Sequence, residues 1–147
     1  MNPWFILAGA LMLGILSVQG GTQVAGFAQA GQNVNAQTDL SSLRTAQEGV
    51  YALNGQYAAS MGALSTSGNG VTSNYLPSGG VLHALAANST GTVYVAVAQS
   101  AGGTYYATIS SSAVIGTGST LAAALTAAGA TSAWATANGI TLPTSVS

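Results

Sequence analysis

The sequence predicts an α+β chain in which a long N-terminal hydrophobic helix, broken near Gly20 and Gly21, packs on a small antiparallel β-sheet head. Three observations predict it. Residues 4 to 18 are apolar but for Ser17; apolar residues then recur at helical spacing as far as Leu53; and two stretches of the second half, "TVYVAVA" (92–98) and "YYATIS" (105–110), alternate at strand period. The chain accordingly divides into a hydrophobic helix over 1–24, an amphipathic helical stalk over 25–55 and a small neutral globular head over 56–147.

The first element opens with helix-start chemistry. Asn2 can cap, and Pro3 fits the first turn, where its missing N–H costs nothing. At about 1.5 Å per residue the apolar run covers about 22 Å, short of a hydrocarbon core of roughly 30 Å. No charge follows before Asp39, however, so the helix can sit deeper than the run alone implies. A basic n-region and a small-x-small cleavage site are both missing, which favours a retained anchor over a cleaved signal peptide.

Gly20 and Gly21 interrupt this run, each disfavoured in a helix by about 1 kcal/mol relative to alanine. Beyond them, Val24, Phe27, Val34, Leu40, Leu43, Val50 and Leu53 keep helical spacing up to Asn54-Gly55. The last part is amphipathic, with Leu43, Ala46, Val50 and Leu53 on one face and Arg44 and Glu48 on the other. Asp39, Arg44 and Glu48 are the only charged side chains in the protein. Arg44 and Glu48 read as an i,i+4 pair on a solvated face. Asp39 projects about 140° from Arg44, close to the apolar stripe, which directs it toward Arg44 of a neighbouring copy as a mark of register between subunits.

The helix exit carries a recognisable pattern. Within "LRTAQEGVYALNGQYAASMGAL" (43–64), Tyr51, Asn54, Gly55 and Tyr57 form a Tyr-x-x-Asn-Gly-x-Tyr segment followed by Ser60 and Leu64. Asn-Gly supplies left-handed residues that stop a helix, and the two tyrosines can pack across the stop. With the apolar run and the glycine break, this segment resembles type IV pilins and the related pseudopilins over roughly residues 1 to 64. The type IVb and conjugative thin-pilus proteins are the variants in view. That resemblance implies a filament subunit whose core is packed by Trp4, Phe5, Leu7, Gly9, Leu11, Gly14 and Leu16. Gly9 and Gly14, among Ala8 and Ala10, would let helices approach closely. Two features depart from the family: Phe5 stands where pilins usually carry Glu, and no short basic leader precedes the run. Either a leader has been removed before Met1, or the chain is unprocessed, like the membrane-anchored accessory proteins of conjugative thin-pilus systems.

In the head, residues 65–80 are turn-rich and read as a surface loop, and the two alternating stretches read as a hairpin. A third strand is expected from 79–86 or from "GITLPTSV" (139–146), with Pro143 marking an edge. Ser119 or Thr120 can cap the Ala-rich helix "LAAALTAAG", which Gly129 stops. There is no cysteine, so the disulfide that closes the C-terminal loop of many pilins is absent and packing must hold that loop.

Composition narrows the function classes. The chain of 147 residues is 2% charged, carries a formal net charge of −1 and is 48% hydrophobic, a surface that should self-associate or lie against lipid. Acid–base catalysis lacks its titratable groups, so no enzyme is expected. Zinc and carboxylate-rich calcium sites lack ligands, and no cofactor or metal is expected. With Arg44 its only basic side chain apart from His83, no nucleic acid is expected as a partner. His83, in "VLHALA", reads as a hydrogen-bonded structural residue, and Asn88, in "NST", matches a glycosylation sequon. The expected partners are identical subunits in a helical homopolymer, the inner membrane before assembly and a pilus assembly machinery. The expected location is the inner membrane, then the extracellular pilus.

Overall fold

The computed structural model describes residues 20–65, Tyr75 and 77–147, with side chains from residue 30 onward except Ser65. The core-packing residues expected at Trp4, Phe5, Leu7, Gly9, Leu11, Gly14 and Leu16 lie outside that set. Among the described residues no helix is long and apolar enough to cross a membrane. The chain divides into two units, residues 1–31 and 32–147. The architecture of the second is α+β, a helix packed on a four-stranded antiparallel sheet.

Helix α1 (Gly20–Asn54) already includes Gly20 and Gly21, so the far side of the expected break falls outside the described residues. From residue 36 its buried positions are Ala36, Leu40, Leu43, Gln47 and Val50, spaced alternately by four and three, together with Asp39, so that one stripe faces the sheet. Fully burying an aliphatic side chain of this size contributes about 1.5–3 kcal/mol. The stop is as read: Gly55 takes φ 69°, and its N–H donates to Tyr51 O at 2.7 Å. A single turn, α2 (Met61–Ser65), follows, with Ser60 Oγ accepting from Ala63 N at 3.0 Å.

The sheet runs β1 (Leu82–Ala87), β2 (Tyr94–Gln99), β3 (Tyr105–Ile109) and β4 (Gly116–Gly118), neighbouring strands in that order and all antiparallel. The expected hairpin is β2–β3, with Val97 opposite Ala107. Of the two candidate third strands, 79–86 supplies β1. The segment 139–146 forms no strand; instead the next residue, Ser147, exchanges two 3.0 Å backbone bonds with His83 at the sheet edge. Pro143 cannot donate to a ladder, consistent with its place outside the sheet.

Both faces of the sheet are covered. Toward α1 lie Tyr94, Ala96, Ala98 and Tyr106, packed with Leu40, Leu43, Val50 and Leu64. Toward the other side lie Val95, Val97, Ala107 and Ile109, packed with residues of two short helices, α3 (Leu121–Ala127) and α4 (Ser132–Asn138), and with Ile140. This second layer enlarges the expected head, which placed the sheet against the stalk alone. Helix α3 is the expected Ala-rich one: Thr120 caps it, accepting from Ala123 N at 3.1 Å, and Gly129 follows at φ 90°. Helix α4 is capped by Thr131 and closed by Gly139 at φ 64°. A Cβ on Gly116 would lie 2.3 Å from Ala128 N, and one on Gly118 would lie 2.6 Å from Ala124 N. Two glycines at strand spacing thus let the backbone of α3 rest directly on β4.

Candidate functional site

The charged and hydrogen-bonding residues of α1 converge on the junction between helix and head. Asp39 is buried within the stripe face; its Oδ2 accepts from Ser78 N at 2.8 Å and its Oδ1 from Ser78 Oγ at 2.6 Å. His83, on β1, is buried beside it, with Nε2 at 3.1 Å from Oδ2 in a contact that is not an aligned hydrogen bond. The His83 pKa is held below the ordinary imidazole value by burial, against the opposing pull of Asp39. The ring of Tyr75 stands edge-on to His83 at 6.0 Å, and burial holds its hydroxyl well above the usual phenol range. The end of the 65–80 loop is therefore held at this junction, Ser78 on Asp39 of α1 and Tyr75 against His83 of β1. Because the Ser78 hydroxyl is directed at a carboxylate, the imidazole is not placed to activate it as a nucleophile.

Arg44 corrects one expectation. Its side chain is half-buried rather than solvated, reaching from the helix flank to β3, where Nη1 is directed at Thr108 Oγ1, Ser112 O and, at 3.1 Å, Ile109 O. The physical reason is length: an arginine stem crosses apolar surface and still delivers its charge to acceptors at the far end. Asp39 and Arg44, expected to meet between subunits, thus each find partners within their own chain. Glu48 is exposed and accepts from Tyr57 Oη at 3.1 Å.

Gln47 is the residue that sequence reasoning missed. It is fully buried, and its amide acts as a short strand, Nε2 donating to Ala58 O at 2.9 Å and Oε1 accepting from Ala58 N at 2.8 Å. The signal was present: position 47 lies four after Leu43 and three before Val50, inside the stripe. A buried amide needs partners, and the segment leaving the helix supplies them.

The exit motif is a stack. Tyr51 and Tyr57 lie 4.7 Å apart between ring centroids, as expected across the stop, and Tyr57 meets Tyr94 of β2 edge-to-face at 4.7 Å. Gly55, not Asn54, takes the left-handed conformation. Tyr94 is fully buried, and burial pushes its pKa up to about 12. Asn88 is used as a turn staple. Its Nδ2 donates to Thr92 Oγ1 at 2.9 Å and Asn138 O at 3.2 Å, and its Oδ1 accepts from Thr92 N and Val93 N. A sugar on that nitrogen would replace one of its two hydrogens and so displace one of the two Nδ2 donations.

Among the described residues no group of three or more His, Asp or Glu side chains is placed to hold a metal ion. An open groove of about 800 Å³ lies between α3, α4 and the C-terminal segment, lined by Leu121, Leu125, Leu142 and Pro143 among small residues. No family model, no curated protein and no solved structure matches the chain.

Proposed function

We propose that this chain is a structural subunit of an extracellular type IV pilus-like helical filament. The apolar run of residues 3–18 would hold it in the inner membrane and then, moved by an assembly machinery, pack in the filament core. One observation carries the reading: residues 56–147 contain no Asp, Glu, Lys or Arg, so the head presents a neutral exterior suited to lie against copies of itself. The Tyr51–Tyr57 packing at the exit and the helix-on-sheet head support the same family likeness. Lipid already solvates apolar side chains, so close packing must favour the filament over the membrane, a role suited to Gly9 and Gly14.

Phe5, in place of the usual Glu, favours a second reading, an uncleaved membrane-anchored accessory of such an assembly system. Electron microscopy of material sheared from intact cells, with its protein identified by mass, separates the two. The subunit reading expects helical fibres made mainly of this chain. If the chain stays in the membrane pellet and its deletion removes fibres made of another protein, the subunit reading is wrong.

A further inference from the structure

The outer edge of β1 is only partly paired. His83 exchanges two 3.0 Å backbone bonds with Ser147, the arrangement of a bonded pair in an antiparallel ladder. Ladder groups alternate in direction, and Asn88 N donates to Val93 O on the β2 side, so the backbone groups of Leu85 and Ala87 face outward with those of His83. Among the described residues no backbone group meets Leu85 or Ala87 on that side. Segment 141–147 passes them by. It starts beside the far end of β1, where Asn88 bonds to Asn138 O, and reaches the edge only at Ser147. Between segment and strand opens a cleft of about 430 Å³, lined by Met61, Leu85, Thr141 and Pro143 among others.

The segment is lightly held. None of residues 141–147 is buried, whereas Ile140, just before them, is buried and its N–H donates to Ala135 O at 3.0 Å. Among the described residues its attachments are the two bonds at Ser147 and the half-buried Leu142 and Val146, which pack on the α3–α4 layer with Ala84 and Ala86. A segment held in this way opens at far less than the cost of global unfolding. Once open, residues 141–147 reach up to about 23 Å from Ile140. Neither 79–87 nor 139–147 carries an Asp, Glu, Lys or Arg, the charges that commonly keep an edge strand from pairing with another chain.

We infer that segment 141–147 of one copy seats on the β1 edge of the next, in place of that copy's own segment. The occupant is the one the structure already places at this edge, so the exchange replaces each contact by an identical one and needs no new surface. A segment arriving from a neighbour is not tied at Ile140 to the same sheet. It can continue straight from the Ser147–His83 pair to a second pair, Ser145 with Leu85, and it stops where Pro143, lacking an N–H, meets Ala87. Each copy gives one segment and receives another; repeated without closing, the exchange links heads into a fibre. The inference rests on the filament reading and adds to it the element that joins neighbouring heads.

The chain has no cysteine, so engineered thiols report alone. Val146 precedes Ser147 and Ala84 follows His83; on antiparallel partners such neighbours lie about 4.5 Å apart between Cα atoms, within disulfide range. Fibres carrying Ala84→Cys and Val146→Cys together, assembled under reductant, sheared and then oxidised, are expected to give a ladder of dimers, trimers and higher species. Oxidising the same variant before assembly should fasten the segment to its own head and abolish fibres, and reductant should restore them. Should the double variant fail to assemble, fibres co-assembled from two single variants, Ala84→Cys in one chain and Val146→Cys in the other, decide the matter. A mixed dimer identified by mass is expected there, and its disulfide can only join copies. Fibres that give an intrachain disulfide without a ladder, fibres of the single variants without a mixed dimer, or normal assembly of the chain locked beforehand would overturn the exchange and leave the filament reading intact. Absence of fibres from the unaltered chain would overturn the filament reading, and the exchange with it.

Discussion

On the side covered by α1, the sheet is joined to its helix through long side chains. Arg44 reaches three acceptors around β3, Gln47 pairs with Ala58, Asp39 holds the Ser78 turn, and Tyr57 stands between Tyr51 and Tyr94. On the side covered by α3 and α4, Gly116 and Gly118 clear space for the backbone of α3, and apolar side chains alone, alanines with Val95, Val97, Ile109, Leu125 and Ile140, fill the rest. The comparison teaches that one small sheet can be covered in two ways. Polar bonds fix orientation and register, so the first face resists sliding. Close backbone contact is strong but unforgiving, so the second face tolerates no added volume.

The largest expected effect breaks the second face. Gly116→Val drives a branched side chain into the backbone at Ala128 and Ala124 and should destabilise the head by at least about 3 kcal/mol, read as a fall in the unfolding midpoint followed by circular dichroism. Unchanged stability would mean that α3 is not seated on β4.

Next comes the polar face. Gln47→Leu keeps approximate size but strands the N–H and C=O of Ala58, and should cost about 2 kcal/mol in urea unfolding. A neutral result would show that water reaches Ala58.

A smaller effect sharpens the contrast through pH, because the Asp39–His83 contact belongs to the helix side. His83 is held below its ordinary value of about 6.5, so the unfolded chain takes up the proton first as pH falls. Stability is therefore complete above about pH 6.5 and is lost as pH drops from there through the folded-state value. His83→Gln should flatten that slope; a melting profile with the same slope in the variant would place its cause elsewhere. At the alkaline end Tyr94, raised to about 12, works oppositely, and its stability is lost as pH rises from about 10 toward that value.

The elements with periodic patterns were legible in the sequence: the stripe of α1, its Gly55 stop, the β2–β3 hairpin and the Thr120 cap. Asp39 was correctly placed near the apolar stripe, but its partners were not, because Ser78 and His83 lie far along the chain and no local rule connects them. Arg44 was misassigned for a related reason, since periodicity locates a Cα and not the end of a long side chain. Helix α4 went unread because seven residues rich in Ala, Thr and Ser carry little periodic signal, although Thr131 and Gly139 bound it clearly. The glycines of β4 acquire meaning only with α3 lying over them.

The central claim is that the charges of α1 fasten a helix to its own head. The most direct test is the unfolding midpoint of Arg44→Gln in the full-length, detergent-solubilised, unassembled chain. Loss of charged hydrogen bonds around β3 should lower stability by about 2 kcal/mol with no other copy present. A variant as stable as the unaltered chain that fails only in assembly would contradict the claim and return Arg44 to a contact between subunits.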